Sequence, residues 1–226
     1  MANRVKVAVF DFCGTFVNFQ TGDAFIRYVS KDIGDVKKIH KSEAILSFCV
    51  KSKFCAIWDR LFKNSLSKRI IAKQISGISL DAVAKKASEF YDLFIKPNIV
   101  SVTQELFKKS KKDGCYTILV SAAYSIYLEF FNKDFGFDAI ISSSLKNKNG
   151  KMTGSLEKDV YGRKKVKYLK QFLDRKFGKS GYDIVLSVGD SKSDIPVLDI
   201  AYKKIVVTNK KTDWIKDNYE VCYYGN

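Results

Sequence analysis

Four polar side chains stand at positions where an α/β sheet would present them to a ligand. Asp11, Ser121 and Asp190 each follow an apolar run with the length and Val, Ile and Leu content of a buried strand. The carboxyl ends of parallel strands meet at one edge of a sheet, so we expect these three side chains to lie close together. Lys165, which follows Gly162 at the start of a predicted helix, would bring a cation to the same edge.

Two carboxylates, a hydroxyl and a lysine in one crevice suit phosphoryl chemistry on a divalent ion. The oxygens of Asp11 and Asp190 are hard ligands for Mg²⁺, which usually takes one or two carboxylates together with phosphate. Lys165 would balance negative charge, and Ser121 would donate a hydrogen bond to a phosphate oxygen. Asp11 would be the nucleophile that forms an aspartyl-phosphate.

The elements that must position these groups alternate along the chain. The predicted strands are Val5–Phe10, Cys115–Val120, Asp183–Val188, Lys204–Val207 and Val221–Tyr224, with a hairpin over Ile140–Leu156. The predicted helices are Ile99–Lys112, Tyr124–Phe135, Gly162–Phe177 and a short one near Asp213–Asp217. Strands that alternate with helices indicate a parallel sheet with right-handed crossovers.

One long segment departs from this alternation. From Asp23 to Ile95 the apolar residues recur at steps of three and four, which predicts several short helices. We therefore predict an α/β fold: a Rossmann-like parallel sheet core, residues 1–15 and 96–226, with an inserted α-helical cap domain, residues 16–95. Such a cap would cover the carboxyl edge of the sheet.

The composition narrows the classes of partner. The formal net charge is +16, but of the 40 basic residues only six are Arg, the side chain that nucleic-acid readers favour. A Lys surplus spread along the whole chain argues against nucleic acid as the main partner and would still attract a small anionic substrate. The sequence does not specify an oligomeric state.

Cysteine usage and hydropathy bear on the compartment. The five cysteines form no C-x-x-C pair and are odd in number, which is typical of a reducing environment. No apolar run reaches membrane-spanning length, and no signal-peptide pattern precedes Val5. We therefore expect a cytoplasmic protein with no membrane partner.

Four short motifs in order give the chain a family resemblance. Residues 11–15 read Asp-Phe-Cys-Gly-Thr, residues 120–122 read Val-Ser-Ala, residues 162–165 read Gly-Arg-Lys-Lys, and residues 189–194 read Gly-Asp-Ser-Lys-Ser-Asp. Together they resemble the motifs of the haloacid dehalogenase superfamily. The helical insertion and the forms of the third and fourth motifs are similar to its phosphoserine-phosphatase-like branch.

This resemblance implies a Mg²⁺-dependent phosphatase that acts on a small phosphorylated substrate. It implies that Asp11 attacks phosphorus, and that Mg²⁺ is held by Asp11, Asp190 and the backbone carbonyl of Cys13. A further set of residues would serve the substrate and the lysine. Ser121 and the adjoining Ala122 would bind the substrate, Lys165 would be catalytic, and Asp194 would support Lys165 or metal-bound water.

Two positions depart from the family pattern. The family places an acid/base carboxylate at position 13, and a thiol such as Cys13 with a reference pKa of about 8.5 is a poor substitute. Losing acid/base help costs on the order of 10²–10⁴-fold in rate. At the substrate-binding position 20, phosphoserine phosphatases carry Glu. Gln20 is neutral and cannot pair with an ammonium group in the same way, which argues against phosphoserine.

The departure at Cys13 leaves three functional hypotheses open. The first is a phosphohydrolase whose substrate has a good leaving group. The second is a phosphotransferase that passes the phosphoryl group to an acceptor other than water. The third is a catalytically weakened relative that binds phosphate or a phospholigand.

Overall fold

The computed structural model describes residues 4–52, 54–55, 57–58 and 65–225. The strands are β1 (Val5–Phe10), β2 (Tyr116–Tyr124), β3 (Ala139–Lys148), β4 (Lys151–Lys158), β5 (Tyr182–Gly189), β6 (Lys203–Thr208) and β7 (Glu220–Tyr223). The α-helices are α1 (Thr21–Ile33), α2 (Val36–Lys51), α3 (Leu66–Ala72), α4 (Leu80–Phe90), α5 (Ser101–Lys112), α6 (Ser125–Phe135), α7 (Arg163–Phe177) and α8 (Ile195–Leu198). Within these residues, no helix is long and apolar enough to cross a bilayer.

The strands form one seven-stranded sheet in the order β4-β3-β2-β1-β5-β6-β7. All neighbours are parallel except the β3–β4 hairpin, so the predicted α/β fold with a parallel Rossmann-like core is confirmed. β1 lies at the centre, between β2 and β5. The order of strands reverses there, which is the usual place for a ligand site in an open α/β sheet.

The apolar content of β1 follows from burial on both faces of the sheet. Ala8 and Phe10 belong to one hydrophobic cluster, which includes residues of the inserted helices. Val7 and Val9 belong to a second cluster on the other face, together with Leu169 of α7. A strand covered on both sides reads as continuous apolar sequence and ends where polar chemistry begins.

Helices α1 to α4 lie between β1 and β2, which is where the sequence predicts the insertion. Phe25 of α1 and Phe90 of α4 pack on Tyr127 of α6, with ring centroids 5.0 Å and 5.6 Å apart. The inserted helices therefore rest on the core through aromatic contacts. The boundaries 16–95 stay a prediction, and residues 53, 56 and 59–64 within them lie outside the described residues.

The hairpin that follows the core strands also contacts the inserted segment. Gly77 N donates to Met152 O at 2.8 Å, and Leu80 N donates to Gly150 O at 2.8 Å. The turn uses Asn149 and Gly150, both with positive φ, as the Asn-Gly pair predicts. The predicted hairpin is confirmed, and its backbone holds the segment before α4 against the core.

Two local predictions are wrong. β2 does not stop before Ser121 but continues to Tyr124, because the strand keeps pairing with β3 beyond an irregularity after Ser121. Residues 213–217, all within the described part, form turns instead of a helix. Trp214 in this segment packs on Leu198 and Val206. Its side chain therefore belongs to a small hydrophobic cluster and not to the buried face of a helix.

Candidate active site

Asp11 lies at the end of β1, directly over the centre of the sheet. Its backbone N donates to Val188 O of β5 at 2.9 Å, which continues the sheet pairing by one residue and fixes the direction of the side chain. The carboxylate is buried, and one of its oxygens, Oδ1, lies 2.7 Å from Lys165 Nζ. Burial raises the pKa of Asp11 even though Lys165 acts in the opposite direction.

Lys165 sits between two carboxylates. Its Nζ donates to Asp11 Oδ1 at 2.7 Å and to Asp194 Oδ1 at 2.6 Å, and all three side chains are buried. Burial alone would lower the pKa of Lys165, but the two carboxylates raise it well above the usual range. The lysine is therefore fully charged and holds both carboxylates in place.

Asp190 and Asp194 come from the turn after β5. Ser191 donates to Asp194 Oδ2 from its backbone N at 3.2 Å and from its hydroxyl at 2.7 Å, which fixes that carboxylate for Lys165. Asp190 accepts a hydrogen bond from Thr15 Oγ1 at 3.2 Å. Burial, followed by the charges of Asp11 and Asp194, raises the pKa of Asp190 to about 8.

The three carboxylates could hold a metal ion. Single oxygens of Asp11, Asp190 and Asp194 all lie within 4.8 Å of one another. One lysine neutralises only part of this charge, and burial, together with the charges of Asp11 and Asp194, raises the pKa of Asp190. A hard divalent cation fits such a set of oxygens. Gly14 permits the arrangement, because a Cβ there would lie 2.1 Å from Asp190 Oδ2.

Cys13 faces a chain of hydroxyl groups. Its Sγ lies 3.1 Å from Thr21 Oγ1, and Thr21 Oγ1 lies 2.7 Å from the hydroxyl of Tyr127. The Tyr127 hydroxyl accepts from Tyr124 N at 3.0 Å. Burial and then the charge of Asp11 raise the pKa of Cys13 to about 11, so the thiol stays protonated. A protonated thiol cannot act as a general base.

Ser121 and Ala122 lie inside β2, the strand that pairs with β1. Ser121 Oγ accepts from Ala123 N at 3.2 Å, which leaves its hydroxyl hydrogen available to a phosphate oxygen. Ala122 O accepts from Lys68 Nζ of α3 at 2.6 Å. The structure thus brings Asp11, Lys165, Asp190 and Asp194 together as the sequence predicts, whereas the predicted roles of Ser121 and Ala122 remain predictions.

The sequence reasoning missed one buried polar group next to this strand. Lys68 of the inserted segment also donates to Ser143 Oγ at 3.0 Å, lies 3.6 Å from Asp159 Oδ1, and sits 4.7 Å from the ring centre of Tyr124. Burial lowers the pKa of Lys68. No feature of the sequence distinguishes Lys68 from the many other lysines of the chain, because its inward position depends on the fold.

Gln20 occupies a different environment from the charged cluster. Its side chain is exposed and lines a cavity of about 880 Å³ that also reaches Gly14 and Asp190. The cavity lies between the segment that leads into α1 and the loop between β6 and β7. The predicted substrate-binding position is therefore open to solvent and adjacent to the predicted metal ligands.

Comparisons with known proteins identify the class. Residues 8–199 match the model of the haloacid dehalogenase-like hydrolases, so the chain belongs to that family. The predicted assignment to a hydrolase of this superfamily is confirmed.

Particular relatives point to one branch. The chain is 26% identical over 223 residues to a phosphoserine phosphatase from Methanocaldococcus jannaschii, covering 98% of this chain and 93% of that protein. A phospho-aspartyl intermediate analogue of phosphoserine phosphatase superposes with a TM-score of 0.60 at 21% identity, covering 91% of this chain and 87% of that one. A Bordetella pertussis Tohama I protein of unknown function gives 0.71 at 18% identity, covering 91% of each chain. The predicted resemblance to the phosphoserine-phosphatase-like branch is confirmed.

Proposed function

We propose that the chain is a Mg²⁺-dependent phosphatase that hydrolyses a small phosphorylated metabolite through an aspartyl-phosphate on Asp11. The observation that carries this proposal is the buried bridge from Asp11 through Lys165 to Asp194. It orients a nucleophilic carboxylate at the carboxyl edge of the sheet. Family membership and the relatedness to phosphoserine phosphatases support the same reaction class.

The chain's own groups divide the reaction into two displacements. Lys165 holds Oδ1 of Asp11, which leaves the other carboxylate oxygen to attack phosphorus. An Asp11 O–P bond forms while the ester P–O bond breaks and the leaving group departs with the electron pair. Water then attacks the same phosphorus, the Asp11 O–P bond breaks, and phosphate is released with both protons of the water while the carboxylate is restored.

Asp11, Asp190 and the backbone carbonyl of Cys13 are the groups that would hold the metal ion. When bound, Mg²⁺ would supply positive charge against the phosphate oxygens. Lys165 adds a fixed cation, and Ser121 offers a hydroxyl donor, so negative charge that develops on the phosphoryl group meets preorganised partners. Asp194 acts on Lys165, since its Oδ1 lies 2.6 Å from the ammonium nitrogen.

The thiol at Cys13 shapes the choice of substrate. Because it is buried and protonated with a raised pKa, it cannot take a proton from the attacking water. We therefore propose a substrate whose leaving group departs with little protonation. A phosphotransferase is the second candidate, because an acceptor that needs no deprotonation would not require the missing carboxylate. A phosphate-binding relative with weakened catalysis is the third.

Phosphoserine is not the substrate that we propose, despite the names of the relatives. Gln20 cannot form an ion pair with the substrate's ammonium group, and it lies exposed in a wide cavity. We also propose a cytoplasmic location, since Cys13, Cys49, Cys115 and Cys222 are free thiols.

The test is phosphate release from a panel of phosphomonoesters and acyl phosphates in the presence of Mg²⁺. We expect turnover by the native chain and none by Asp11→Asn. Asp81→Asn, which removes a charge at an exposed position of α4, is the matched control and should leave turnover unchanged. Equal turnover by the native chain and Asp11→Asn would overturn the aspartyl-phosphate mechanism.

A further inference from the structure

The cavity next to the carboxylates has a lining that, apart from Asp190, the proposed reaction does not use. It measures about 880 Å³ and is bounded on one side by Gly14, Gln20 and Asp190 and on the other by the loop between β6 and β7. We propose that it holds the leaving group of the substrate, and that this leaving group carries a planar ring and a second anionic group. This inference rests on the proposed function, because Asp11 must be the point of attack.

Between the inserted helices and β2, the side chain of Lys68 is already engaged with the core. Lys68 Nζ bonds to Ala122 O at 2.6 Å and to Ser143 Oγ at 3.0 Å, and it lies 3.6 Å from Asp159. A leaving group that took the place of the Lys68 ammonium would have to break these buried contacts. The open cavity, in contrast, already reaches Asp190.

The size of the cavity argues against a very small leaving group. Pockets for ligands of drug size measure about 300–1,000 Å³, and this cavity lies in the upper part of that range. A serine or glycerol moiety would leave most of it to water. A leaving group with a ring and a further substituent would fill more of the space.

Three aromatic side chains line the cavity and are half-buried: Phe19, Trp214 and Tyr224. Trp214 packs against the cluster of Leu198 and Val206, which holds its ring in position. Rings that are fixed on one side and accessible on another are suited to stack on a planar ligand. Stacking of this kind stabilises bound bases of any identity, because every base has a π-face.

The charge of the lining is predominantly positive away from the carboxylates. Lys192, Lys210 and Lys211 lie on the rim, and Lys192 has only a loose, exposed ion pair with Asp213 at 3.8 Å. In addition, the hydroxyl oxygen of Thr212 is buried without a hydrogen-bond partner among the described residues. Exposed lysines beside an unsatisfied hydroxyl are suited to a second anionic group on the ligand.

The experiment compares three phosphomonoesters with the intact chain: an adenosine bisphosphate (ring and second phosphate), adenosine monophosphate (ring alone) and glycerol phosphate (neither). We expect the Michaelis constant to rise in that order. The double variant Lys210→Ala/Lys211→Ala should raise the constant for the bisphosphate about tenfold, as for the loss of one or two partly screened ionic contacts. It should change the constant for adenosine monophosphate by no more than about twofold.

The double variant should fold normally, because Thr208 Oγ1 contacts only the backbone N and O of Lys210. Lys109→Ala/Lys112→Ala removes the same charge from the end of α5, which leads into the opposite edge of the sheet, and should have no effect. A lower Michaelis constant for glycerol phosphate than for the bisphosphate would overturn the inference.

A binding measurement separates this inference from the proposed function. Calorimetric titration of the adenosine bisphosphate into Asp11→Asn reports on the cavity even where no ester is hydrolysed. Affinity that falls with Lys210→Ala/Lys211→Ala supports the cavity, whatever the turnover. No affinity, or affinity insensitive to the double variant, contradicts it, and turnover of other esters would then leave the proposed function intact.

Discussion

The carboxylate cluster and the cavity beside it are built on different principles. Asp11, Lys165 and Asp194 are buried, lie within 2.7 Å of their partners, and each comes from the end of a core element. The cavity is lined mostly by exposed and half-buried side chains on connecting segments, among them the exposed Gln20 and Lys210. The comparison indicates that the core preorganises the proposed reacting groups, whereas the proposed leaving-group cavity lies mainly on connecting segments, which tolerate change.

The largest effect is expected from the loss of Lys165, the cation of the carboxylate cluster. Lys165→Met leaves two buried carboxylates without their cation, so we expect kcat/KM to fall by about 10³-fold or more. The free energy of unfolding should fall by about 3 kcal/mol, the lower end for a broken buried ion pair, because protonation relieves part of the penalty. Steady-state kinetics and urea unfolding measure the two effects.

Lys167→Met is the matched control for that variant. It removes a lysine from the exposed face of the same helix, α7. Both kcat/KM and the free energy of unfolding should stay near the native values. Equal effects of the two substitutions would contradict a special role for the bridge from Asp11 to Asp194.

A carboxylate in place of Cys13 should supply the acid/base group that the carboxylate cluster lacks. In Cys13→Asp we expect hydrolysis of esters with poor leaving groups to rise by about 10²-fold, the lower end of general acid/base effects. Cys13→Ser introduces a hydroxyl that can still contact Thr21 but adds no acid, so the rate of this variant should not rise. Phosphate release from an alkyl phosphate measures both, and a similar rate for the two variants would contradict the idea that a missing acid limits the chain.

Mg²⁺ that binds the carboxylate cluster should stabilise the folded chain even without substrate. Mg²⁺ at 100 times its dissociation constant should add about 2.7 kcal/mol to the free energy of unfolding. For a chain of this size the melting temperature should rise by roughly 5–10 °C. EDTA should reverse the shift, and Asp190→Asn should abolish it. An equal shift in Asp190→Asn would place the ion elsewhere.

The smallest effect is expected at the rim of the cavity. The Lys192–Asp213 pair spans 3.8 Å between exposed side chains, so Lys192→Ala should change the free energy of unfolding by less than about 1 kcal/mol. Urea unfolding measures this. A loss of several kcal/mol would show that the loop between β6 and β7 supports the core, contrary to the contrast drawn between the two regions.

The amino-acid sequence was enough to predict the central strand and the carboxylate at its end. β1 appears at its predicted bounds because a strand buried on both faces must be apolar throughout, and Asp11 marks its end without ambiguity. The hairpin could be predicted from the Asn-Gly pair at Asn149, because its turn needs positive φ at both residues. The types of side chain and the spacing of apolar residues are enough to predict an element where one backbone conformation is strongly favoured.

The tertiary structure alone decided the contacts between distant segments. β2 extends through Ser121 because β3 supplies partners, and residues 213–217 do not form a helix because Trp214 packs on Leu198 and Val206. The inward position of Lys68 has no signature in a chain with so many lysines. Such contacts depend on which surfaces the fold brings together, and local propensity carries no information about that.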